Sequence, residues 1–247
     1  MHNTLFSIGK TAQLLGISID TMRRWDTSGR LPSVRSGVGA HRYYRREDIV
    51  ALTKDFQLKA WQWVQDNKGV VPEPEVYCTT RDVFQSRLES LQTQLARNGV
   101  PLERIFLLTA IVGEIGNNSF DHNLGNWPDV LGIFFSYTAS KKEIVLADRG
   151  QGVFATLKRV RPDIANQQEA LTIAFTETVS SRAMEARGNG LKFVRSIVKD
   201  NPFTLYFQSG DAFLKLVQHD ATLKVSPSPV AIHGCLVILN FNEKETV

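Results

Sequence analysis

The chain has 247 residues, 43% of them hydrophobic, with 29 Lys+Arg against 25 Asp+Glu for a net charge of +4. That length exceeds the usual single domain and the apolar fraction is enough for real cores, so two folded domains are expected. No run approaches the ~18 apolar residues of a membrane span, no secretory leader opens the chain, and Cys78 and Cys235 lack metal-ligand spacing; these features argue against a membrane protein, a disulfide framework or a zinc site, and a cytoplasmic location is expected.

The charge is unevenly divided. Residues 1–70 hold 11 Lys+Arg against 6 Asp+Glu, whereas residues 71–247 hold 18 against 19. Between Arg23 and Arg46 seven arginines accompany a single acid, Asp26, which is the electrostatic footprint of a phosphate-backbone partner. Within this stretch Ser7 is placed to cap a first helix ending near Gly16, and Ser18 a second ending near Gly29. Ile8, Leu14, Leu15, Ile17, Met22, Trp25 and Leu31 supply an apolar set to pack the pair, leaving Asp20, Thr21, Arg23 and Arg24 outward. That is a helix-turn-helix pattern. Leu31 to Tyr43 reads as a glycine-tipped hairpin wing, and Glu47-Asp48 open a further helix with Ile49, Leu52 and Phe56 on its apolar face, stopping near Asp66.

Residues Phe6 to Leu52 resemble the winged helix-turn-helix of the MerR and excisionase type, through Arg24-Trp25, Gly29-Arg30-Leu31-Pro32 and Gly39-Ala40-His41-Arg42-Tyr43. The resemblance implies that the second helix enters the major groove of double-stranded DNA. Thr21, Arg23 and Arg24 then stand nearest the bases, while Arg35, His41, Arg42 and Tyr43 contact backbone or minor groove. Trp25 is expected in the core, and His41 stays open between a DNA contact and a packed wing residue.

Residues 1–66 therefore read as a DNA-binding domain. Residues 67–79, with Pro72, Pro74 and Gly69, read as a short semi-rigid connector, and 80–247 as a second domain. In Thr80 to Arg97 a stripe of Val83, Phe84, Leu88, Leu91 and Leu95 has helical spacing, open between packing on its own domain and a homodimer contact. A long helix is expected over Leu102 to Phe120, strands over Val130 to Tyr137 and Glu143 to Ala147, and helices over Gln167 to Thr178 and Leu191 to Val198. Strands are expected again near Phe203 to Phe207, Phe213 to Val217 and Cys235 to Phe241. One helical layer over one mixed sheet fits this order.

Three polar boxes lie on that frame. Glu114, Asn118 and His122 recur every four residues, which places them on one helix face able to hold a hydrated magnesium ion. Asp148 ends a strand candidate and is followed by Gly150 and Gly152, which let the backbone approach a flat ligand. Gly188 and Gly190, with Leu191, open a helix whose free N–H groups suit phosphate.

Taken in order, these boxes resemble the GHKL ATP-binding domains of gyrase, chaperones, bacterial sensor histidine kinases and MutL. The resemblance implies a Bergerat-type two-layer α/β sandwich within an overall α+β chain, with ATP and Mg2+ as cofactors. Asn118 would coordinate magnesium, Asp148 would recognise adenine, and Gly150, Gly152, Gly188 and Gly190 would shape the pocket beside His122 and Leu191. Glu114 would polarise a water or hydroxyl. Val153 to Arg187 holds the place of the nucleotide lid, with Arg182 and Arg187 as its phosphate candidates.

The chain also departs from the family. Thr80 to Arg97 contains no histidine, so autophosphorylation of the sensor-kinase kind is not expected. The functional expectation is a DNA-binding transcriptional regulator whose second domain binds Mg-ATP and modulates DNA or partner binding. A serine/threonine kinase of the anti-sigma type acting on a partner protein, and an excisionase-like architectural protein, remain as alternatives. Sensing, slow hydrolysis and transfer of ATP all stay open.

Overall fold

In a computed structural model, which describes residues 5–15, 18–35, 41–53, 55–138, 141–178 and 190–241, Ser7 and Ser18 each start a helix. Strand β1 (Leu5–Ser7) runs into α1 (Ile8–Leu15), where Ser7 Oγ accepts the Lys10 N–H at 3.4 Å. Ser18 caps α2 (Ile19–Thr27) by accepting the Thr21 N–H at 3.1 Å. Strand β2 (Tyr43–Arg45) pairs antiparallel with β1, and a Val34–Tyr43 bridge closes the base of the wing. Ala12, Leu15, Met22, Leu31, Tyr44, Ile49 and Leu58 form the core of this first unit, Met1–Gln62. Each large side chain so buried contributes about 1.5–3 kcal/mol. Leu14, expected in that set, is exposed, and Gly16, Ile17, Gly39 and Ala40 lie outside the described residues.

The single helix expected after the wing is two, α3 (Arg46–Thr53) and α4 (Phe56–Gln65). Asp55 makes the break: its Oδ1 accepts the N–H groups of Gln57 at 3.0 Å and Leu58 at 3.3 Å, which starts a new helix instead of continuing the old one. The Gln62 side chain also donates to the Leu15 carbonyl, tying α4 to α1.

The second unit, Trp63–Val247, takes in the segment read as a connector. Trp63 Nε1 donates to the Val70 carbonyl at 2.7 Å, Val76 is buried, and β3 (Tyr77–Cys78) joins a sheet through β4. Pro72 and Pro74 interrupt a helix yet are compatible with the approach to an edge strand. Helices α5 (Arg81–Arg97) and α6 (Leu102–Asn123) follow, then β4 (Ile133–Thr138), β5 (Glu143–Asp148), α7 (Gly152–Lys158), α8 (Gln167–Thr176) and α9 (Gly190–Asp200). Strands β6 (Thr204–Ser209), β7 (Ala212–Val217), β8 (Val225–Pro227) and β9 (Cys235–Asn240) complete the described order.

The strand order is β3-β4-β5-β9-β6-β7-β8, and every pairing is antiparallel. The expected mixed sheet is therefore corrected. Strands β5 and β6 run in the same direction, but β9 lies between them and opposes both. One face of the sheet, carrying Ile133, Phe135, Leu146, Val237, Leu239, Leu205 and Phe207, shares a core with α5, α6, α8 and α9. The alternate residues Phe134, Val145, Ala147, Leu236 and Ile238 are buried as well, with Trp63 against Phe134.

Of the α5 stripe, Phe84, Leu88, Leu91 and Leu95 enter that core and Val83 is exposed, so the stripe packs on its own domain. Gly116 allows the close α5–α6 approach, since a Cβ there would lie 2.2 Å from the Phe84 ring. Among the described residues no helix is long and apolar enough to cross a membrane.

Candidate functional sites

On α2, Arg23 and Arg24 are exposed as expected. Arg23 pairs with Asp20 at 2.9 Å and Arg24 Nη2 donates to Thr21 Oγ1 at 3.3 Å. Thr21 corrects its expected place, because it is 6% exposed and its hydroxyl lies 3.0 Å from Ser18 Oγ. It braces the helix start instead of facing outward. Trp25 packs partly against the core, with the Arg30 guanidinium 4.3 Å above its ring. His41 and Tyr43 are exposed on the second arm of the wing.

Arg35 and Arg42 are not loose. Both bond to Asp26 Oδ2, at 2.5 Å and 2.7 Å, while Asp26 Oδ1 accepts the Ser33 N–H at 2.8 Å. Burial alone would raise the Asp26 carboxyl, but the Ser33 N–H and the Arg42 and Arg35 guanidiniums hold it well below the usual carboxylate range. No local pattern in the sequence signals this hub, whose partners come from both arms of the wing.

In the second unit α6 gathers residues of the three boxes. Asn118 Nδ2 donates to Glu114 Oε1 at 3.0 Å, and a Cβ on Gly190 would fall 1.7 Å from that same oxygen, so Glu114 sits directly against the start of α9. Ser119 Oγ donates to Asp148 Oδ2 at 2.7 Å, and Asp148 Oδ1 accepts the Gly150 N–H at 2.8 Å. Asn123 Oδ1 accepts the Gln151 N–H at 2.8 Å. His122 is exposed on the last turn of α6, where its carbonyl accepts from Gln151 Nε2. Leu191 packs on the core, and Gly188, Arg182 and Arg187 lie outside the described residues.

Asp148 is 2% exposed and its burial raises the carboxyl, against which the Ser119 hydroxyl and the Gly150 and Cys235 N–H groups act. The glycines expected to admit a ligand meet protein atoms closely. A Cβ on Gly150 would strike the Asn123 amide at 2.1 Å, and Gly152, at φ +75°, sits close to Ser209 Oγ. Gly234, at φ +60°, lies against Asp148, where a Cβ would meet its carbonyl at 2.2 Å. Ser119 and Asn123 repeat the four-residue spacing one position beyond the Glu114 series, a signal the sequence carries. Ser209 and Gly234 stand at remote strand ends, and only the register that sets Asp148 and Ser209 on either side of Cys235 brings them in.

Arg149, next to Asp148, is fully buried and turns the other way. Its guanidinium bonds the Asp129 carboxylate and the carbonyls of Trp63, at 2.5 Å, and Asp66, at 2.7 Å. Among the described residues no group of three or more His, Cys, Asp or Glu forms a metal cage. Glu114 and Asn118 offer too few oxygens for a protein-built magnesium cage, so they would hold that ion only if it kept most of its water. Burial pushes the Cys78 thiol up to about 11 and that of Cys235 well above its usual value, so neither is a thiolate nucleophile at neutral pH.

Residues 5–55 match the helix-turn-helix domain family. The chain is 36% identical over 63 residues, 26% of its length, to the type II methyltransferase M.Eco47II of Escherichia coli, covering 15% of that protein. It is 47% identical over 56 residues, 23% of its length, to the transcriptional repressor DcmR of Methylorubrum extorquens, covering 21% of that protein. The chain thus spans about a fifth or less of either relative, and both matches are short enough to be accounted for by one small domain.

Proposed function

We propose that this chain is a DNA-binding transcriptional regulator whose second unit binds ATP with magnesium and whose nucleotide state alters DNA or partner binding. The first half is supported by the helix-turn-helix domain at 5–55 and by the likeness to a transcriptional repressor. For the nucleotide half, the carrying observation is that α6 holds Glu114 against Gly190 and Ser119 against Asp148 at once.

On this reading the Asp148 carboxylate, its rotamer fixed by Ser119 and Gly150, accepts the exocyclic amine of adenine with a remaining lone pair. The start of α9 at Gly190 offers backbone N–H groups to phosphate. Asn118, whose amide nitrogen is turned to Glu114, would give its oxygen to magnesium, which when bound would supply charge neutralisation of phosphate. Glu114 is then the base for a water or a partner's hydroxyl.

That position of Glu114 also supports a second reading, a kinase of the anti-sigma type acting on a serine or threonine of a partner. A positioned base is worth about 10²- to 10⁴-fold, so Glu114→Ala should remove transfer or hydrolysis by that order and spare ATP binding.

Calorimetric titration of the full chain with ATP and magnesium, beside Asp148→Asn, tests the pocket. Saturable binding lost in the variant is expected. A folded wild type that binds no ATP overturns the nucleotide half. Repeating the titration with a duplex selected from a random pool tests the coupling, for which about 1–3 kcal/mol, or roughly 5- to 150-fold in affinity, is the ordinary range. Equal DNA affinity with and without ATP removes the coupling.

A further inference from the structure

Asp26 is the one acid among the seven arginines between Arg23 and Arg46, and its carboxylate is turned toward the wing. Its side chain is 9% exposed, against 41% for Arg35 and 30% for Arg42. Three donors from three places meet on it: the Ser33 backbone entering the wing, Arg35 on the first arm and Arg42 on the second. Arg35 Nε donates in turn to Ser33 Oγ at 3.2 Å, so this guanidinium is held at both ends. Bonds of this charge-assisted kind are short and about twice as strong as neutral ones.

Two guanidiniums bound to one carboxylate leave a single net positive charge where the sequence alone places two on the wing. Affinity for any duplex, whatever its sequence, grows with the number of phosphates neutralised, and the slope of log K against log salt is about −0.9 per phosphate. Cations kept from the backbone therefore lower binding to unrelated sequence without touching contacts to base edges.

We propose that Asp26 is a specificity-determining residue, withholding Arg35 and Arg42 from the DNA backbone and locking the wing to α2 so that sequence discrimination rests on the exposed α2 arginines. This rests on the DNA-binding reading above. It reassigns Arg35 and Arg42 from phosphate contact to positioning.

The test uses the full chain, a duplex it selects from a random pool and an unrelated duplex, with affinities measured across salt concentrations. Asp26→Asn should bind the unrelated duplex several-fold more tightly, steepen its salt slope by up to about 1.8, and lower the preference for the selected duplex. In that background Arg35→Gln and Arg42→Gln should each restore about 0.9 of slope, whereas a general loss of negative charge would not depend on either arginine. In the wild-type background both substitutions should leave the slope unchanged, and this arm decides the matter even where Asp26→Asn does not fold. A fall of about 0.9 for Arg35→Gln in the wild type means that the arginine already holds a phosphate, and overturns the proposal. A wild type that selects no duplex at all overturns the DNA-binding reading itself.

Discussion

The hydroxyl of Ser119 reaches from α6 to the Asp148 carboxylate at 2.7 Å, joining a long helix to the end of a central strand. The bond fixes a group whose burial otherwise opposes its charge.

Replacing that charge should separate binding from stability. In Asp148→Asn the amide oxygen can still accept from Gly150 and the amide nitrogen can donate to Ser119 Oγ, so the packing survives while the desolvated charge is gone. The melting temperature by scanning calorimetry should hold or rise, and ATP binding should be lost. A variant that melts well below the wild type contradicts this account of the Asp148 environment.

Acid should act on the two carboxylates Asp148 and Asp26 in opposite senses. Asp148 has a folded value raised above the ordinary 3.8, so its contribution is fully present below that value and is lost as pH rises through the raised one. The folded value of Asp26 is depressed from the same 3.8, so its contribution is present above pH about 4 and is lost as acid is added. Below pH about 4 the hydrogen-exchange protection factors of α2 should fall in the wild type, and much less steeply in Asp26→Asn.

The two helix glycines should fail differently. Gly116→Ala drives a methyl into the buried Phe84 ring, and overpacking of this kind costs about 1–3 kcal/mol in urea unfolding. The nearest atoms to a Cβ on Gly190 are all of Glu114, from the carboxylate back to Cγ at 3.0 Å, and this part-exposed, flexible side chain can swing aside. The stability of Gly190→Ala should stay within about 0.5 kcal/mol of the wild type while any ATP turnover falls, because the carboxylate has moved.

Arg149→Met should be the most damaging of these changes. The guanidinium is fully buried and bonds the Asp129 carboxylate and two backbone carbonyls, so removing it deprives both carbonyls of this donor and leaves Asp129 with the Val130 N–H and solvent. Breaking a buried pair costs about 3–5 kcal/mol, and with Asp129 31% exposed the lower end applies. Urea midpoints for the second unit report it, with Asp129→Asn expected to cost less.

The elements most legible in the sequence were those written in local signals. Ser18 caps the helix that follows it, and the stripe of Phe84, Leu88, Leu91 and Leu95 buries as its spacing requires. The four-residue series on α6 does bring Glu114 and Asn118 together. What escaped depends on partners distant in sequence. Thr21 looks outward on a helical projection until Ser18 and Arg24 claim its hydroxyl. Asp55 starts a new helix inside what reads as a single periodic run. The wing arginines look like free cations because the sequence does not say that Asp26 faces them. Antiparallel pairing throughout follows from where β9 inserts, and periodicity within a strand carries nothing about its neighbours.

That insertion also orders events during synthesis. Strand β9, at Cys235–Asn240, is the middle one of the seven strands described in this sheet, so β5 and β6 each wait with an unpaired edge until it emerges. Between Asp148 and its partner Cys235, helices α7, α8 and α9 and strands β6, β7 and β8 must all be made first. Pairings this distant along the chain are slow to form, and open strand edges invite other chains meanwhile. The two described strands of the first unit pair within Leu5–Arg45, so on the ribosome that ladder is complete in sequence while the larger sheet is still in two halves.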